Sequence, residues 1–208
     1  CMGLPRFQVL KGETERLEDR INLLRNSPAM IVWYLFDEPY NSKLPFAPIQ
    51  ASADLLKKLD TQHPTVLVEC LLHETQAYHS KHLEYVSMPD ILMTDSYPRT
   101  PSNSDLSPVA REIAVARKLT KDQKPIWNVI QVHGKGPGGT GYNLQEPDES
   151  ELRNMVYQSL ASGVKGLTFW AYEAGEFKLY KTPAGLKNVK RITGEVQTLS
   201  PILLSDEL

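Results

Sequence analysis

Cysteine is scarce: Cys1 and Cys70 are the only two in 208 residues. Two thiols cannot build a disulfide framework, and neither stands in a metal-ligand spacing. No apolar stretch approaches the roughly 20 residues that cross a bilayer, and no charged-then-apolar leader opens the chain. An excess of one charge is also missing. Lys and Arg total 23 against 25 Asp and Glu, for a net charge of -2 and a pI near 6.2. That balance gives no support to a polyanionic partner. Neither membrane nor nucleic acid is expected, and the compartment stays unassigned. The closing Ser205-Asp206-Glu207-Leu208 is similar to a retention tail, but without an entry signal it reads as coincidence.

Two further patterns are incomplete. The glycine-rich loop 134–141 has Lys135 without a Ser or Thr at the position a phosphate cradle needs. His63, His73, His79 and His82 lack the carboxylate-supported helical spacing of a zinc site. No metal and no organic cofactor is expected.

What is present is ordinary in bulk, 41% hydrophobic and 23% charged, and fits a single globular domain over 1–208. The pattern along the chain is more informative. Residues 27–39 form a short apolar run rich in β-branched and aromatic side chains, which reads as a strand buried on both faces. It ends in Asp37-Glu38 and then Pro39. Two carboxylates after a buried run are costly unless they serve a purpose, and α/β proteins place chemistry at the carboxyl ends of parallel strands.

Further apolar runs follow at 65–72, 91–94, 125–132 and 166–172. Amphipathic or capped segments stand between them: helices over 13–26, from Ser52 to about 59, 107–119, from Asp148 or Ser150 to Gly163, and 184–199. Residues 73–84 read simply as polar. Strands alternating with helices predict an α/β fold with about five parallel strands, the layout of a partial (β/α) TIM-type barrel.

Several strand ends carry polar groups: Asp37-Glu38, Asp95, Gln131 with His133, and Trp170 with Tyr172. In a parallel sheet these ends share one side. Each has a plainer reading too. Asp95 before Ser-Tyr-Pro serves as a turn organiser, Trp170 and Tyr172 as core, and Gln131 and His133 as satisfied interior polar groups.

The run ending in Asp37-Glu38-Pro39 resembles the fourth strand of glycoside hydrolase-like TIM barrels of clan A, which ends in Asn-Glu-Pro with the Glu as general acid/base. Asp95-Ser96-Tyr97-Pro98 resembles the end of their sixth strand, 125–131 the seventh and 163–170 the eighth. The resemblance implies a glycosidase acting on O-glycosyl bonds, with Glu38 as acid and Asp37 or Asp95 as base or nucleophile. Tyr97, Gln131, His133, Trp170 and Tyr172 would bind the sugar, with Trp127 as a further stacking face. An Asp beside a Glu is also found in substrate-assisted hydrolases, where the Asp orients an acetamido group.

Two departures follow from the same comparison. Gln131 stands where the clan has its nucleophilic Glu, and an amide cannot attack an anomeric carbon. The first three βα units are absent, and five units cannot close an eight-stranded barrel. Either a second copy or another polypeptide would cover the open edge, and a homodimer is expected. The competing expectation is a non-catalytic carbohydrate-binding or self-associating barrel fragment.

Overall fold

A computed structural model describes residues 14–71, 76–134, 143–174 and 177–205. Cys1, His73, the glycine-rich loop beyond Gly134 and the last three residues lie outside the described set, as does the side chain of His79. The chain is α/β, with five parallel strands in the sheet order β1-β2-β3-β4-β5 and helices between them. That is the βα order of a partial barrel. Among the described residues no helix is long and apolar enough to cross a membrane.

The chain packs as two compact units, one reaching to Thr94 and including Ala116–Pro125, the other comprising Asp95–Val115 and the chain from Ile126 on. The first holds α1 (Thr14–Leu24), β1 (Trp33–Asp37), α2 (Phe46–Leu59), β2 (Thr65–Glu69), α3 (Gln76–Ser87) and β3 (Ile91–Thr94). Trp33 pairs with Thr65 and Tyr34 with Val66, and a register shift then sets Asp37 against Val68. β2 runs against β3 from Val66↔Ile91 to Glu69↔Thr94. The strands are short and almost wholly buried, as β-branched runs without alternation predict. Trp33, Leu35, Ile49, Ala53, Leu56 and Leu67 fill the core. The Trp33 indole N–H must find a partner there, and it donates to Asp60 Oδ2 at 2.9 Å. Burial alone would push the Asp60 carboxyl up. Hydrogen bonds from Gln62, Trp33 and His63 outweigh it and hold the group below the usual carboxylate range.

Helix α2 begins six residues before the expected Ser52, which instead lies inside it and returns its hydroxyl to Pro48 O at 2.8 Å. Pro48 sits in the first turn, where no backbone donor is required, so it does not delay the helix. Helix α3 was not expected at all. Its described buried positions are His82, Tyr85 and Val86, and two of those three are polar-tipped, so the apolar stripe is faint.

The second unit holds most of α4 (Pro108–Thr120), then β4 (Ile126–Gln131), α5 (Glu149–Ala161), β5 (Gly166–Trp170), the short antiparallel pair β6 (Glu173–Ala174) and β7 (Phe177–Lys178), and α6 (Pro183–Leu203). Helix α5 starts on a capping box: Asp148 accepts from Glu151 N–H while Glu151 reaches back to Asp148 N–H. Leu152, Met155, Val156 and Ser159 form its buried face. Ser159 is tolerated there because it accepts from Asn128 Nδ2 of β4 and donates to Met155 O, both at 2.8 Å. Strand β5 ends at Trp170, two residues before the sequence pattern predicts, and a cis peptide joins Trp170 to Ala171.

Candidate functional site

In the first unit the chain leaves β1 at Asp37, whose Oδ1 accepts from Tyr34 OH at 3.0 Å. Glu38 follows with φ 44°. That left-handed conformation costs an L-residue roughly 1–2 kcal/mol, and such residues gather at functional turns. Backbone bonds hold the turn: Glu38 N–H donates to Val68 O, and Ser42 N–H to Glu38 O, each at 2.9 Å. Asp37 and Glu38 are both half-buried.

Behind the turn lies Glu69, the last residue of β2 and completely buried. Its Oε1 accepts from Tyr40 N–H at 3.1 Å, and its Oε2 faces His82 Nε2 at 3.4 Å. Burial pushes the Glu69 carboxyl up; the bonds from His82 and Tyr40 oppose the shift, and the charge of nearby Glu38 adds a smaller upward push. The Tyr40 ring lies on His82, centroids 4.0 Å apart. Tyr85 donates its hydroxyl to Leu44 O at 2.7 Å, which pins the far end of the loop. Tyr40, Asn41, Lys43, Leu44 and Tyr85 line a groove of about 420 Å³.

The second unit holds the remaining sequence-based candidates. Asp95 follows β3 and is buried. Tyr97 is half-buried, its ring edge-on to His133 at 5.0 Å. His133 Nδ1 is 2.9 Å from Trp170 O. A carbonyl only accepts, so Nδ1 carries the hydrogen and Nε2 keeps the lone pair. Burial pulls the His133 pKa below its ordinary value despite that bond, and the ring is neutral at pH 7.

Gln131 is fully buried and its amide is committed to backbone. Oε1 accepts from Arg99 N–H at 2.9 Å, while Nε2 points at the carbonyls of Arg99, Gln145 and His133 at 3.0, 3.1 and 3.2 Å. Trp170 is half-buried, whereas Tyr172 is 55% exposed and leans on Tyr180 at 5.4 Å. The unit therefore brings Tyr97, Gln131, His133 and the Trp170 backbone together. Trp127 spends a ring face on Gly166, where an added Cβ would sit 2.6 Å from the indole.

Among the described residues, neither unit taken alone gathers three metal-ligating side chains. In the first, a Glu38 carboxylate oxygen and Cys70 Sγ come within 4.8 Å, too few donors to hold an ion.

Glu69 and His82 are absent from the sequence-based candidates. Glu69 does carry a sequence signal, a lone carboxylate inside the apolar run 65–72, the same energetic oddity that singles out Asp37-Glu38. His82 carries none, because its partner lies on another element.

No protein-family profile matches the chain, and no curated protein matches it in sequence. Solved structures do match in fold. A provisionally named alpha-L-fucosidase from Bacteroides thetaiotaomicron superposes with a TM-score of 0.61 at 10% identity, over 85% of this chain and 58% of that one. A beta-galactosidase from Bacillus circulans sp. alkalophilus gives 0.58 at 17% identity, over 77% and 24%. A beta-glucuronidase from Ruminococcus gnavus gives 0.53 at 13% identity, over 86% and 34%. The chain thus spans less than two thirds of each of these structures.

Proposed function

We propose that the chain is a glycoside hydrolase-like protein, or the part of one that carries its acid residue, and that it cleaves O-glycosidic bonds by carboxylate general acid/base catalysis. The observation that carries this reading is the placement of Asp37-Glu38. The pair stands at the carboxyl end of a buried parallel strand, with Glu38 on a left-handed turn two residues before Tyr40, which lines a groove. The fold adds support, since its solved neighbours bear glycosidase names.

Glu38 would protonate the glycosidic oxygen. Asp37 or Asp95 would act as base on a water or as nucleophile, the outcome following the carboxylate separation of roughly 5–5.5 Å for retention or 6.5–9.5 Å for inversion. Tyr97, Trp170 and Tyr172 offer ring faces to a sugar, and the lone pair on His133 Nε2 can accept from a sugar hydroxyl. Gln131 would serve through the backbone it holds. A second copy of the chain is the partner this reading takes. β1 is an edge of the sheet, and Ile31 just before it and Leu23 of α1 are 70% and 78% exposed.

One observation favours a second reading, a carbohydrate-binding module without catalysis: Gln131 is not a carboxylate and its amide is spent on backbone. A panel of aryl glycosides and polysaccharides separates the two. Hydrolysis of at least one substrate by the wild type, reduced roughly 10²–10⁴-fold in Glu38→Gln, supports the enzyme. Inactivity of both proteins on every substrate, with equal glycan binding, leaves the module.

A further inference from the structure

The least expected group in the first unit is Glu69. A carboxyl with no solvent exposure at the end of an apolar strand is expensive to keep, and the proposed chemistry makes no use of it. Its two oxygens nevertheless have distinct tasks. Oε1 takes the Tyr40 N–H at 3.1 Å, and Oε2 faces His82 Nε2 at 3.4 Å. Tyr40 is two residues beyond Glu38, inside the same turn. Its ring lies on the same histidine and walls the groove.

We propose that Glu69 is the positioning residue for Glu38: bridging the Tyr40 amide and His82, it fixes the left-handed turn on which Glu38 stands. The inference rests on the reading of Glu38 as the acid of the site, and it concerns how that acid is held in place.

Burial pushes the Glu69 carboxyl up, and the contacts with His82 and the Tyr40 amide oppose that push, so both partners engage the carboxyl where it stands. The titratable groups facing it from the packed elements are Glu38 on the turn, together with His82 and Tyr85 on α3. When ionised, Glu38 adds a small upward push to the Glu69 carboxyl; the buried carboxyl holds the turn and the half-buried one meets solvent.

Glutamine keeps an acceptor for the Tyr40 N–H and a polar group against His82. Leucine has neither. In the full chain, amide hydrogen exchange of Tyr40 is expected to stay within about threefold of wild type in Glu69→Gln and to accelerate at least tenfold in Glu69→Leu. The turnover of any hydrolysed aryl glycoside should follow the same order, falling in kcat rather than rising in KM. In Glu38→Gln, the Glu69 carboxyl followed by carbon-13 NMR should titrate at lower pH than in the wild type.

Unchanged Tyr40 exchange in Glu69→Leu would overturn the proposal. If that variant does not fold, Glu69→Gln decides. Rapid Tyr40 exchange there, or a Glu69 titration indifferent to Glu38→Gln, counts against it. Exchange and titration read out with no substrate present. A protein that hydrolyses nothing therefore refutes the glycosidase reading without touching this one.

Discussion

Replacing Gln131 by glutamate would restore a carboxylate where the glycosidase resemblance expects a nucleophile, and the structure predicts that it damages the fold instead. Oε1 of Gln131 accepts from Arg99 N–H, and glutamate can keep that bond. Nε2 is the problem. It points at three carbonyl oxygens, those of Arg99, Gln145 and His133, at 3.0–3.2 Å. An ionised carboxylate there has no proton to give and faces three partial negative charges.

Two N–H donors are lost, and each buried carbonyl left without one costs about 1–3 kcal/mol. Burying the charge adds to that. Arg99 offers little relief, because its guanidinium is engaged by Glu151 at 2.6 Å. About 3–5 kcal/mol at pH 7 is expected, which for a chain of this size lowers Tm by about 6–20 °C.

The sign with pH follows from linkage. The introduced carboxyl ionises less readily folded than unfolded, so its folded pKa lies above the usual value of about 4.3. The deficit is then smallest below that value and grows as pH rises through the folded pKa. Urea melts of wild type, Gln131→Glu and Gln131→Leu at pH 4 and pH 7 provide the assay. The leucine variant, which loses the bonds but adds no charge, should show a deficit that does not change between the two. A glutamate variant as stable as wild type at pH 7, or equally impaired at both pH values, would refute the reasoning.

Gly166→Ala drives a Cβ to within 2.6 Å of the Trp127 ring across the β4/β5 pairing. A loss of about 1–3 kcal/mol and altered tryptophan fluorescence are expected, and unchanged urea stability would mean that the ring does not lie there. Sedimentation velocity at low micromolar concentration is expected to show a dimer, and a stable, folded monomer removes the second copy from the proposal.

The strands were legible because their signal is local. Runs such as Trp33-Tyr34-Leu35-Phe36 or Ile91-Leu92-Met93-Thr94 are apolar throughout, and burial on both faces leaves no other pattern available. The capping box at Asp148 and Glu151 is local as well, and α5 begins where it predicts. Helix α3 was hidden because its buried side includes His82 and Tyr85, whose polar tips meet Glu69 and Leu44 O, neither of them near in sequence. The same holds for Gln131. Its residue type and its position after an apolar run mark it as a polar group in a costly place, but its partners are backbone groups of Arg99 and Gln145, which no side-chain pattern encodes.

Three carboxyls of the first unit therefore share one neighbourhood and differ in exposure and in partners. Asp37 accepts from a phenol, that of Tyr34. Glu69 has no solvent, and burial favours the acid. Glu38 is half-buried on a turn whose backbone is strained, so solvent reaches the residue and its direction is set by the turn rather than by a side-chain rotamer alone. The push on Glu69 comes from depth. Glu38 stands on the turn that Glu69 holds from beneath. Sequence could place Asp37 and Glu38 at a strand end. The division of labour depends on Glu69 and His82, which only folding brings behind them.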